Sequence, residues 1–245
     1  MKKYIPFTLL LLLSVYSSSA QDGDLYKPAS KESQAYHEYR QKLSEPPYSL
    51  LKVKSFIAQI KSDDEDNAKL SAKTYQALSF REKFTYHMIH AETFSQNCDI
   101  MPPIQDEHKK IFGQLADAFS EESWSDRQLV FFKTNRDSVI YLLKECISKN
   151  NRVGVNYKHV IVDINATEMI PFLITTYKVA KKDHDILTIL MLLMEHNNYP
   201  PFLESISHKK LYGEKSDYQS FLVYNQANED LIFQRATDFY NGLKH

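Results

Sequence analysis

Residues 81–99, REKFTYHMIHAETFSQNCD, gather most of the side chains in this chain that could do chemistry. His87 and His90 stand three apart, followed by Glu92, Cys98 and Asp99. On a helix that spacing puts two imidazoles on neighbouring positions, able to share a metal ion. Zinc would need one or two further ligands. Glu92, Cys98 and Asp99 are the local candidates, and His108 or His159 could come from elsewhere. No H-E-x-x-H pattern occurs, so the metalloprotease arrangement of ligands and base is missing. A second chemistry would use Cys98 as nucleophile with His87 or His90 as base. That needs a depressed thiol pKa, at a helix N-terminus or beside a cation. Cys98 instead follows a helix, and the neighbouring Asp99 carboxylate raises its pKa. No residue is therefore assigned a catalytic role. Zinc on His87, His90, Glu92 and Asp99, serving a metal-dependent hydrolase, is kept as the alternative to a structural corner.

Other polar groupings have simpler readings. Glu121 and Glu122 before Trp124 would suit a glycosidase carboxylate pair with an aromatic sugar platform. They also suit a solvated turn with negative charge ahead of a helix N-terminus. The run KKDHD, residues 181–185, reads as an exposed turn in which Asp183 caps the next helix. With five glycines in 245 residues, no glycine-rich phosphate loop occurs and no organic cofactor is assigned.

The first twenty residues read as a secretory leader: Lys2 and Lys3, a short apolar run, then small residues ending at Ala20, where cleavage is expected. The apolar run falls short of the roughly 20 residues of a membrane span. These features point to a periplasmic or extracellular protein with no integral span after cleavage. Loss of Lys2 and Lys3 takes the formal charge from −1 to −3. With a pI near 6.8 and no basic stripe, nucleic acid is not an expected partner. In an oxidising compartment the two cysteines, Cys98 and Cys146, are candidate disulfide partners. Closing that loop would contribute about 4 kcal/mol in the chain-entropy model.

The elements that must position these residues read as helices. Glycine scarcity disfavours folds built on tight hairpins. Three Pro-Pro pairs, at 46–47, 102–103 and 200–201, punctuate the chain. Helical spacing is expected over 50–60, 70–78, 80–91, 105–118, 126–148, 155–165, 168–180, 185–196, 199–205, 218–224 and 229–243. Capping boxes stand at Ser79/Glu82, Ser125/Gln128 and Ser216/Gln219. The stretch 126–148 reads as one long helix with Cys146 on its inner face. Residues 186–194, ILTILMLLM, read as a buried helix.

Within residues 154–204, the helix containing Pro171, the turn at Asp183 and the strongly apolar helix that follows resemble HEAT or armadillo-type helical repeats. That resemblance implies stacked antiparallel helices and a protein-binding surface. The expectation is an all-α protein, a compact helical bundle or short α-solenoid of roughly nine to eleven helices. Residues 21–47 form a flexible or weakly helical lead, and 48–245 a single helical domain. The expected role is non-catalytic, a binding or scaffolding protein that contacts another protein.

Overall fold

A computed structural model describes residues 28–60, 68–95 and 102–243. The leader, the cleavage site, Cys98 and Asp99 lie outside the described residues. Helix makes up 61% of the structure, with twelve α-helices among the described residues. Two small two-stranded sheets accompany them, so the expected helical class holds in bulk but not throughout.

The chain opens with α1 (Lys31–Gln41), whose N-cap Ser30 accepts from Ser33 N. Next come α2 (Leu50–Ile57), α3 (Ala72–Gln76) and α4 (Phe80–Ile89). The Ser79/Glu82 box starts α4 as expected, with both reciprocal bonds present. Val53, Leu70, Leu78 and Tyr86 form a small apolar cluster between α2 and α4. Strand β1 (Thr93–Phe94) follows.

Where 105–118 was expected to be helical, the structure has a 3₁₀ turn (Glu107–Lys109) and β2 (Lys110–Phe112). Strand β3 (Glu122–Ser123) pairs antiparallel with β1. The expected long helix 126–148 is two helices, α5 (Asp126–Thr134) and α6 (Arg136–Asn150). Asn135 separates them: its backbone stands at φ −109°, ψ 28°, and both its N–H and its side-chain Nδ2 donate to the Phe131 carbonyl, at 3.1 and 2.8 Å. The Ser125/Gln128 box does open α5.

Then come α7 (Val155–Asp163), α8 (Ile170–Ala180), α9 (Asp185–His196), α10 (Pro200–Leu203) and α11 (Ile206–Tyr212). Helix α11 was not expected. The segment 218–224, expected as a helix behind a third capping box, contains β4 (Phe221–Val223), antiparallel to β2 with Ile111 opposite Leu222. Ser216 Oγ instead donates to the Gly213 carbonyl in a turn. The last helix is α12 (Gln226–Gly242).

Helix α9 is the axis of the core. Every residue from Asp185 to Met194 is buried, as suits a helix apolar on all sides. It packs against α7, α8, α10, α12 and β2. Among the described residues no helix is long and apolar enough to cross a membrane.

Of the lead segment, the structure describes residue 28 onward, and there it holds α1. Helix α1 presents Ser33, Tyr36, His37 and Arg40 inward, all buried. Its exit is fixed too: Asn156 exchanges hydrogen bonds with Ser44 N (3.0 Å) and Ser44 O (2.8 Å). Arg152 donates to the Tyr39 and Lys42 carbonyls at 2.7 and 2.9 Å, capping the helix C-terminus.

Candidate functional site

The expected metal ligands do not converge among the described residues. His87 lies on α4, wholly buried among Tyr86, Phe131 and Phe132, its ring centroid 4.7 Å from that of Phe131. Its Nε2 meets the Tyr75 hydroxyl at 3.0 Å, and Trp124 Nε1 donates to its carbonyl at 2.7 Å. Burial, then the Arg127 and Lys83 charges, push its pKa well below the usual histidine value, so the ring is neutral.

His90 is already outside the helix, with extended backbone at φ −149°, ψ 130°. The expected shared helical face is therefore absent, and His90 Nε2 bonds the Ala68 carbonyl instead. Glu92 is fully buried and occupied: it accepts from Tyr86 OH at 2.7 Å, from Ser125 Oγ and from Arg127 Nε and Nη2. Among the described residues no group of three or more His, Cys, Asp or Glu side chains could hold a metal ion.

His108 and His159, the outside candidates, are engaged elsewhere. His108 Nδ1 lies 3.4 Å from Ser33 Oγ, and His159 Nε2 donates to the Ala116 carbonyl at 2.7 Å. Trp124 is partly buried, its ring meeting Phe132 and Phe119 edge-on at 5.1 and 5.4 Å. Cys146 faces inward as expected. Its thiol is free and buried, with Sγ 3.6 Å from Tyr48 OH.

The dense ionic chemistry lies at the start of α9, in the run expected to be an exposed capping turn. Asp183, His184 and Asp185 are all buried. The Asp183 side chain is not a cap: it accepts from Lys158 Nζ at 2.6 Å, and the N-cap position falls on His184. Lys158, wholly buried on α7, also reaches Asp185 Oδ2 at 3.1 Å. Arg40 of α1 donates to Asp185 Oδ1 and to Glu107 Oε1, both at 2.9 Å, with its guanidinium 4.1 Å above the Phe112 ring. His37 Nδ1 adds a 3.0 Å contact to Glu107. Glu107 also accepts from Ile104 N at 3.3 Å. One chain of polar contacts thus runs His37–Glu107–Arg40–Asp185–Lys158–Asp183 and joins α1, the 3₁₀ turn, α7 and α9.

Each carboxylate answers to its own neighbours. Burial works to raise Glu107, but the His37 and Arg40 bonds outweigh it and hold it below the usual range. Asp185 is likewise drawn below its usual value, with Arg40 and Lys158 overcoming burial. Asp183 goes the other way: burial and the Asp185 charge exceed what Lys158 returns. Its Oδ2 has no hydrogen-bond partner among the described residues.

Beside the chain, His184 stacks on Tyr224 with centroids 3.8 Å apart, and burial lowers its pKa to about 4. It is neutral and donates from Nδ1 to the Lys110 carbonyl at 3.2 Å. Its backbone N–H donates to Tyr36 OH at 3.1 Å. Glu229 collects Tyr177 OH, Tyr224 OH and Lys181 Nζ at 2.9, 3.0 and 3.1 Å. The side chains of the polar chain bond one another away from solvent and tie α1, the 3₁₀ turn, α7 and α9 together.

Sequence reasoning missed this network. Two signals were present: Lys158 inside the apolar run of α7, and Asp185 heading an otherwise apolar helix. No family model, curated protein or solved structure matches this chain.

Proposed function

We propose that this chain is a non-catalytic helical binding or scaffolding protein, exported from the cytoplasm, that presents its surface to another protein. One observation carries the reading: among the described residues, the buried carboxylates and cations best able to do acid–base or metal chemistry are engaged with neighbouring side chains inside the fold. Glu107, Arg40, Asp185 and Lys158 are buried and bonded in one chain, and Glu92 is buried against Arg127, Tyr86 and Ser125. His87 is neutral and enclosed. The leader-like first twenty residues support export.

The competing reading is the zinc-dependent hydrolase. Metal content of the purified protein decides between them, measured for the natural sequence and for the His87→Ala, His90→Ala double variant. The binding reading expects no stoichiometric zinc in either. One zinc per chain, lost in the folded double variant, overturns it.

A further inference from the structure

The sheet of β2 and β4 has two outer edges, and only one is closed. Two backbone bonds fix the pattern: Gly113 N donates to Ser220 O at 3.0 Å and Tyr224 N to Lys109 O at 2.8 Å. In an antiparallel ladder, residues 109, 111 and 113 therefore bond inward to 224, 222 and 220. Lys110 and Phe112 of β2, and Phe221 and Val223 of β4, turn their backbone groups outward. On the β2 side α9 takes them. His184 Nδ1 bonds the Lys110 carbonyl and Thr188 Oγ1 the Phe112 carbonyl, at 3.2 and 2.8 Å. On the β4 side Asn228 Nδ2 takes the Val223 carbonyl at 2.7 Å. The Phe221 N–H and C=O and the Val223 N–H have no partner among the described residues. Val223 is 52% exposed and Phe221 partly so.

Two lysines, Lys110 and Lys210, flank this open edge, and the Asp106 and Glu107 charges act on Lys110 from a distance. Lys110 Nζ and Lys210 Nζ lie 4.4 and 5.6 Å from the Phe221 ring centroid, and neither forms an ion pair among the described residues. They share a surface depression of about 470 Å³ with Ile104, Asp217, Gln219 and Ser220. Its one carboxylate, Asp217, is turned to its own loop, accepting from Gln219 N and Ser220 Oγ at 2.9 and 3.2 Å. Long edges are commonly blunted by an inward charge, a proline or a covering element. Here the lysines lie beside the edge and leave its donors and acceptor open.

We propose that β4 is a docking edge for an extended acidic peptide of the partner protein, which adds as a third strand. Backbone bonds to Phe221 and Val223 supply the pairing, as in other strand-addition complexes. The peptide residue opposite Phe221 shares that side chain's face of the sheet. A carboxylate there meets the ammonium groups of Lys110 and Lys210. The proposal rests on the binding-protein reading and names its partner's chemistry.

The test uses the full chain and two fluorescent heptapeptides, one alternating valine and glutamate, the other valine and lysine. At low ionic strength the glutamate peptide binds saturably and the lysine peptide does not. Lys210→Glu alone, at an exposed position, weakens binding, and Lys110→Glu with Lys210→Glu weakens it at least tenfold. Amide exchange at Phe221 and Val223 slows on binding. The proposal is overturned by no saturable binding, by equal binding of both peptides, by insensitivity to charge reversal, or by binding that leaves those two amides unprotected. Failure here with no zinc in the metal analysis removes the docking edge alone. Zinc lost with the histidines removes the binding reading itself.

Discussion

Arg40→Met tests the buried network at the residue that ties α1 to the rest of the fold. Methionine keeps much of the aliphatic bulk above Phe112 but strips two carboxylates of a charged donor, each 2.9 Å away. Removing one partner of a buried ion pair costs about 3–5 kcal/mol, because the other charge stays desolvated. Both carboxylates keep some support, Glu107 from His37 and Ile104 N, Asp185 from Lys158. The cost should therefore fall near the lower end, about 3 kcal/mol at pH 7, read from urea unfolding. That is a large share of the 5–15 kcal/mol typical of a folded domain. The pH dependence is the sharper signature. In the natural protein Glu107 and Asp185 titrate below their ordinary values of 4.5 and 3.8. Their stabilisation is complete above those values and lost as pH falls through the depressed ones. Without Arg40 both pKa values rise, so the variant regains stability relative to the natural protein as pH drops toward 4. Adding Glu107→Gln should recover part of the loss at pH 7. A cost below about 1 kcal/mol, or one that does not shrink on acidification, would refute the reasoning and leave α1 held by packing alone.

His87 and His184 are both held neutral, so protonation favours the unfolded chain. Their contribution is present above the unfolded histidine pKa and lost as pH falls below about 6.5, by up to about 1.4 kcal/mol per pH unit for each. His87→Leu should lower that slope between pH 6.5 and 5 by about one proton's worth, and an unchanged slope in urea titrations rejects the neutral assignment. Gly154→Ala should destabilise by about 1–3 kcal/mol, because the added Cβ would stand 2.3 Å from Ser44 N and the backbone must shift. A thermal midpoint equal to that of the natural protein contradicts this packing.

The helices most legible in sequence are those whose signal is local. Helix α4 begins at its Ser79/Glu82 box, and α9 is bounded by Asp185 and His196 around a run with no polar face. Strands β2 and β4 were not legible. Lys110–Phe112 and Phe221–Val223 are three residues each, too short for a period of 2 to be told from one of 3.6. What makes them strands is their pairing across more than a hundred residues of chain, a tertiary effect that overrides local preference. The break at Asn135 was hidden for another reason. The apolar face runs through Phe132 and Val139 on both sides, and the end is marked at Asn135 by its backbone at φ −109°, ψ 28° and its side-chain bond to the Phe131 carbonyl.

The buried charges were misread because charged residues in a short turn are usually solvated, and KKDHD has that composition. The structure inverts the expectation through α1. That helix turns Ser33, Tyr36, His37 and Arg40 inward, so hydrophobic burial gives it little preference for one docking position. Directional bonds do. Arg40 can reach Glu107 and Asp185 together in one placement, and Tyr36 OH must meet the His184 N–H at the same time. The same His184 donates to the Lys110 carbonyl and, with Thr188, closes the outer edge of β2. The residues that seat α1 therefore also decide which side of the small sheet is sealed, and β4 is left as its open side.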